Sequence, residues 1–300
     1  MRTANGSVPR RKHAAAVRLK HGDQLPTQQV LQLISRSEPP QLYFVYLPSS
    51  GAQQAPVFVT VHGLSRNARE HAELFAPYCE EQGVVLVAPL FTEEHTRDFQ
   101  RLGRQGRGAR ADLILESILE ELSMTTGADM TKIHLFGFSG GAQFAHRFAM
   151  AHPHRVARAV IASAGWYTFP DGELRYPYGV RASRDLPDVR FDPEEFLQVP
   201  ITVIVGEQDV TTEDLRTSDR VNLQQGANRL ERARNWVKAM HGAARVHRLD
   251  PLVAFESIPA GDHAFASLMQ AGALGERVFS ALFGVPMEAP EPRLAEGERG

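Results

Sequence analysis

The sequence predicts an α/β fold, with a mostly parallel central sheet, helices on both faces and a short cap loop. Three observations predict it. Short β-branched runs recur along the chain, helical patterns lie between them, and several runs are apolar throughout. A continuous apolar run fits a strand buried on both faces, and strands alternating with helices give crossover connections.

In chain order, Leu42–Leu47, Val57–His62 and Val84–Pro89 read as the first strands. Residues Leu74–Cys79 end a helix before the third. Ala111–Leu122 places Leu113, Ile114, Ile118, Leu119 and Leu122 at helical spacing. Ile133–Phe138 is a strand, and Gly141–Ala151, rich in Ala and Phe, is the helix after it. Ala159–Ala164, Ile201–Val205 and Ala254–Ile258 are further strands. Ala227–Met240 and Ala264–Leu282 are the last two helices. Residues 166–196 interrupt this rhythm with Pro170, Pro177, Pro187 and Pro193 and with Tyr167, Tyr176 and Tyr178. A long loop inside a compact domain reads as a cap over the strand ends. Residues 1–40 are expected to be a partly ordered extension, 41–285 the main domain with 166–196 as its cap-like insertion, and 286–300 a flexible tail.

Composition excludes several function classes. The 300 residues are 43% hydrophobic and 23% charged, an ordinary globular profile. A net charge of −2 gives no broad basic field for nucleic acid or anionic membrane, so neither is an expected partner. Arginines 97, 101, 104, 107 and 110 form a local basic run that reads as a solvated loop. No apolar run of membrane-spanning length occurs. The single cysteine, Cys79, permits no intrachain disulfide. The basic N-terminus leads into no apolar segment of the secretory kind, and the expected location is cytoplasmic.

The chemistry concentrates in Gly137-Phe138-Ser139-Gly140-Gly141. A strand enters this turn and a small-residue helix leaves it, the setting in which a nucleophilic serine stands exposed at a helix N-terminus. Its hydroxyl needs a base and an oriented acid. Ile201–Val205 leads into Gly206-Glu207-Gln208-Asp209, which places Asp209 just past a strand end. Gly261-Asp262-His263 follows the next strand, which makes His263 the candidate base. Asp214 and Glu207 are rivals to Asp209. Val59–Val61 ends in His62-Gly63-Leu64, and the backbone N–H groups of Leu64 and Gly140 are the expected oxyanion donors. His62, Trp166 and Tyr167 are the expected substrate-binding residues, His62 also bracing its loop. His152, His154, His241 and His247 read as structural or solvated. No metal-ligating spacing is present, and none of the common phosphate or zinc motifs occurs.

On these residues the chain resembles the α/β-hydrolases of the poly(3-hydroxybutyrate) depolymerase-like and feruloyl-esterase-like group. The pieces that carry the resemblance are LYFVYLP, VTVHGLSRNA, VVLVAPLF, HLFGFSGGAQFAHRFAMAHPHRV, VIVGEQD and PAGDHAF, spread over residues 42–265. The resemblance implies a serine esterase that needs no cofactor. Exported depolymerases usually carry a signal, disulfides and a polymer-binding module, and none of these is evident in the sequence. The expected substrate is a short-chain or aromatic carboxylic ester, small or oligomeric. Peptidase, acyltransferase and polyester depolymerase chemistry on the same triad, and a binding protein without turnover, are the alternatives.

Overall fold

The computed structural model describes residues 16–19, 23–212 and 215–284. The rest of the expected N-terminal extension and the expected tail lie outside the described residues.

Nine described strands form one sheet in the order β1-β2-β3-β5-β4-β6-β7-β8-β9. They are β1 (Val17–Arg18), β2 (Val30–Ile34), β3 (Leu42–Tyr46), β4 (Pro56–Val61), β5 (Val85–Pro89), β6 (Asp129–Phe138), β7 (Val156–Ala162), β8 (Ile201–Gly206) and β9 (Val253–Ile258). β3 runs antiparallel to both β2 and β5, and every other pairing is parallel. The helices are α1 (Ala68–Gln82), α2 (Ala111–Thr126), α3 (Gly140–Ala151), α4 (Pro193–Phe196), α5 (Asp219–Gln225), α6 (Arg229–Val246), α7 (Phe265–Gln270) and α8 (Leu274–Phe283).

The two faces of the sheet follow from the strand's two-residue period. Val57, Val59 and Val61 of β4 face one core, with Ile118 of α2, Phe144 of α3 and Trp236 of α6. Phe58, between them, faces the other, with Phe75 of α1, Phe265 of α7 and Phe279 of α8. β6 divides in the same way, with Ile133 and Leu135 in the first core and Phe136 in the second. Phe58 is fully buried and meets Phe75 edge-on, ring centroids 5.0 Å apart. Truncating such a ring to alanine costs about 3–5 kcal/mol. Cys79, on α1, is fully buried in the second core, and burial pushes its thiol pKa well up.

The fold departs from the sequence reading in several places. The expected helix Ala264–Leu282 is two helices, α7 and α8. A Cβ at Gly272 would stand 2.8 Å from the Leu268 carbonyl oxygen, and Ala273 is left-handed at φ 51°, so the chain turns there. β1, β2 and α5 were not foreseen. β6 begins four residues before Ile133, at Asp129. In 166–196 the only helix is α4, and Tyr176, Val180, Leu186 and Phe191 pack into the first core. Tyr176 also donates its hydroxyl to the Arg101 carbonyl at 2.5 Å.

Candidate active site

The parallel strands β4 to β9 present their C-terminal ends along one edge, where sites form in open α/β sheets. β6 enters the Gly137–Gly141 turn there, and α3 leaves it. Ser139 has φ 53° and ψ −111°, a strained conformation for a residue with a side chain. The glycines answer to space. A Cβ on Gly141 would lie 1.9 Å from the Val61 oxygen, and one on Gly137 2.1 Å from the Gly141 oxygen. Without them β4, β6 and α3 could not close around the serine.

Ser139 Oγ lies 3.0 Å from His263 Nε2, and His263 Nδ1 lies 2.8 Å from Asp209 Oδ2. A carboxylate only accepts, so Nδ1 carries the proton and Nε2 presents its lone pair to the serine hydroxyl. Asp209 is buried, while the His263 side chain is 27% exposed. Asp209 Oδ1 accepts from Arg229 Nη1 at 3.2 Å. The loops carrying Asp209 and His263 are fastened together by the Gln208 N–H, which donates to the Gly261 carbonyl at 2.8 Å. Behind the base, Phe138 stacks on His263 at 5.2 Å and Phe265 stacks on His71 at 3.8 Å. The rivals go elsewhere. Glu207 accepts from the Ser257 hydroxyl, and Asp262 accepts from the Ala264 N–H. Asp214 lies outside the described residues.

Leu64 and Gly140 come together beside the serine. The Leu64 nitrogen is 3.3 Å from the point where a Gly140 Cβ would stand, and a Cβ on Gly63 would be 3.4 Å from Ser139 Cβ. Among the described residues neither the Leu64 nor the Gly140 N–H has an acceptor. Arg66 donates from Nη1 to the Leu64 carbonyl at 2.9 Å and fixes this turn.

The substrate-binding assignments of His62 and Tyr167 are corrected. His62 is fully buried; its Nε2 accepts from the Phe91 N–H at 2.9 Å. Its Nδ1 must then donate, to the Gly63 carbonyl at 2.7 Å. Burial pulls its pKa down to about 4, so it stays neutral and joins the β4 and β5 loops. Tyr167 is fully buried, stacks on Trp236 at 5.0 Å, and has its backbone held at both N–H and carbonyl by Gln225. Both residues are spent on structure. Trp166 does sit at the catalytic edge, but it is only 4% exposed because arginine side chains cover its ring. Among the expected structural histidines, His152 pairs with Asp112 and His241 with the Val253 carbonyl.

Sequence reasoning missed the buried arginines. Arg229 holds Asp209. Arg232 donates to the Gly165 carbonyl at 2.6 Å and to the Arg216 carbonyl at 3.1 Å, tying down the loops after β7 and β8. A signal was present: Arg229, Arg232, Ala233, Trp236 and Met240 recur on one face of α6, so two arginines interrupt an apolar stripe. Among the described residues no group of His, Cys, Asp and Glu could hold a metal ion, and no helix is long and apolar enough to cross a membrane.

Sheet order, the strand–turn–helix at Ser139 and the placement of Asp209 after β8 match the α/β-hydrolase fold, and the chain has that fold. It is similar to the poly(3-hydroxybutyrate) depolymerase LpqC of Bordetella parapertussis, with a TM-score of 0.73 and 23% identity over 87% of this chain and 92% of that one. It is also similar to poly(aspartic acid) hydrolase-1 of Sphingomonas sp. KT-1, with a TM-score of 0.71 and 23% identity over 83% of this chain and 99% of that one. An S-formylglutathione hydrolase of Agrobacterium tumefaciens aligns with a TM-score of 0.56 and 15% identity, over 88% and 97%. No family model matches the chain, and no curated protein does.

Proposed function

We propose that this protein is a serine hydrolase that cleaves carboxylic esters through an acyl-enzyme intermediate. The observation that carries the reading is the unbroken chain Asp209–His263–Ser139, with hydrogen bonds of 2.8 and 3.0 Å, ending beside two backbone N–H groups that have no acceptor among the described residues. Nucleophile, base, orienting acid and oxyanion donors are thus within reach of one reacting carbon.

In this mechanism His263 Nε2 takes the Ser139 proton as Oγ attacks the ester carbonyl. The Leu64 and Gly140 N–H groups hold the oxygen as it gains charge, each such donor contributing about 3 kcal/mol to the lowered barrier. The tetrahedral intermediate collapses, and the alcohol leaves with the proton from His263. Water then attacks the acyl-enzyme with its proton passing to Nε2, and the acid is released with Oγ reprotonated. Asp209 keeps Nδ1 protonated and stabilises the imidazolium.

Hydrolases acting on poly(3-hydroxybutyrate) and on poly(aspartic acid) share the fold, so ester and amide substrates both have precedent on it. The leaving alcohol of an ester departs more readily than an amine, and ester cleavage is the reading we adopt. A cytoplasmic location fits a chain whose one cysteine is buried and free. A fluorophosphonate probe is the direct test: it should label the wild-type protein at Ser139 and leave a folded Ser139→Ala variant unlabelled. Hydrolysis of p-nitrophenyl acetate or butyrate by that variant at the wild-type rate would overturn the assignment. The acyl preference is for short chains, and kcat/KM for p-nitrophenyl palmitate should be below that for the butyrate.

A further inference from the structure

Five arginines lie in the run 97–110, and the structure divides them. Arg97, Arg107 and Arg110 pair with Glu93, Asp98 and Asp112. Arg101 instead turns inward, its guanidinium carbon 5.3 Å from the centroid of Trp166. Arg216 lies 5.3 Å from the same ring and Arg147 4.4 Å. Three cations therefore crowd one indole. Among the described residues, none of the three forms a salt bridge.

An aromatic face attracts a cation, but three cations on one ring repel each other in a site partly shielded from water. Arg147 shows the tension. Burial first, and the neighbouring Arg101 and Arg216 with it, push its pKa down to about 9. It is fully buried, and its Nη2 has no hydrogen-bond partner among the described residues. Its other bonds are structural: Nε to the Thr168 hydroxyl at 2.9 Å, and Nη1 to the carbonyls of Gln100 at 2.5 Å and Gln143 at 3.2 Å. Arg101 and Arg216 are less committed. Arg216 is exposed and, among the described residues, its side chain donates to the Tyr178 hydroxyl alone, at 3.1 Å. Beside them Arg220 covers the Tyr178 ring at 4.0 Å.

The position of the cluster matters as much as its charge. Arg101 comes from the segment after β5, Trp166 from the loop after β7 and Arg216 from the loop after β8 that also carries Asp209. Arg147 is on α3, two helical turns beyond Ser139. Gln143, one turn beyond the serine, lies between: its N–H donates to the Ser139 carbonyl at 3.1 Å, and its side-chain nitrogen is 3.0 Å from where a Gly165 Cβ would stand. Long side chains on a helix lean towards its N-terminus, so Arg147 reaches back along the serine's side of α3. Arg101 and Arg216 thus come from loops at the same strand ends as the nucleophile, with the buried Arg147 beneath them.

We propose that Arg101 and Arg216, seated beside Arg147 on Trp166, form a carboxylate-binding subsite, and that the preferred substrate carries a free carboxylate several bonds from its scissile ester. This deepens the ester-hydrolase reading and rests on it. Guanidinium groups suit this ligand because their paired donors match the two carboxylate oxygens. A bound carboxylate also relieves the repulsion among the three cations. A monoester of a dicarboxylic acid and an acid-bearing oligomer both present this group.

Two matched pairs test it. On the acyl side, mono-p-nitrophenyl adipate is compared with p-nitrophenyl hexanoate. On the alcohol side, 4-carboxyphenyl butyrate is compared with 4-methoxycarbonylphenyl butyrate. In at least one pair the charged ester should exceed the neutral one in kcat/KM by on the order of tenfold, the preference shrinking as salt rises. The ratio should fall to about one in Arg216→Gln and in the Arg101→Gln, Arg216→Gln double variant. Adipate should bind the Ser139→Ala protein in calorimetric titration and should not bind once both arginines are replaced. Neutral esters equal or better in both pairs, or adipate binding that ignores the arginines, overturns the subsite. Absence of fluorophosphonate labelling would instead overturn the hydrolase reading, and the adipate titration would still judge the subsite.

Discussion

Arg229 Nη1 meets Asp209 Oδ1 at 3.2 Å with both side chains almost wholly out of solvent, 3% and 0% exposed. The opposite oxygen of the same carboxylate faces His263. The carboxylate is therefore clamped between a permanent cation and the His263 imidazole. Removing one partner of a buried ion pair leaves the other desolvated, at about 3–5 kcal/mol. Arg229→Met should destabilise the protein by about 3 kcal/mol in urea unfolding. It should also lower kcat with little change in KM, since it touches only the group behind the base.

Asp209→Asn tests the tautomer argument. An amide can turn its NH2 towards Nδ1, which puts the proton on Nε2, where the serine needs a lone pair. The expected loss is on the order of 10⁴-fold in kcat at unchanged fold. Steady-state kinetics with circular dichroism as the fold control will measure it.

Two glycine substitutions should behave oppositely. Gly141→Ala places a Cβ 1.9 Å from the Val61 oxygen, with backbone on both sides of the clash. It should cost about 3 kcal/mol or prevent folding. Gly242→Ala, inside α6 with nothing within 4 Å, should stabilise by up to about 1 kcal/mol. Thermal melts of the two variants against wild type separate these outcomes.

Three fully buried histidines set the response to acid. Burial holds His62, His71 and His146 below the ordinary histidine pKa, His62 at about 4. The unfolded chain takes up these protons near pH 6.5 and the folded chain does not, so stability is complete above that value. It falls as pH drops below about 6.5, by up to about 1.4 kcal/mol per pH unit for each histidine, the His62 contribution levelling off near its folded pKa of about 4. Urea unfolding at pH 7, 6 and 5 should show the decline, and His146→Gln should flatten it by about one proton.

The parts of this protein legible in its sequence are those set by short-range pattern. The strands flanking Ser139, the glycines around it and the loop ends bearing Asp209 and His263 announce themselves through periodicity and fixed spacing. What stayed hidden depends on which groups lose water. His62 and Tyr167 sit next to the reactive loops in sequence, as binding residues would, yet both turn inward. Arg101, Arg147 and Arg229 look like solvated charges until the loops after β5, β7 and β8 close over them. The break between α7 and α8 was missed because the apolar stripe continues through it, and only the left-handed turn at Ala273 changes direction.

The burial of Cys79 makes the molecule convenient for spectroscopy. The chain has one native thiol, and in the folded state no reagent reaches it. A cysteine introduced at Leu223, 88% exposed on α5, would be the one site open to a maleimide dye. α5 supplies Gln225, which holds the backbone of Tyr167 next to Trp166. A fluorophore there would report whether the loop around the indole shifts when an anion arrives, without any catalytic turnover.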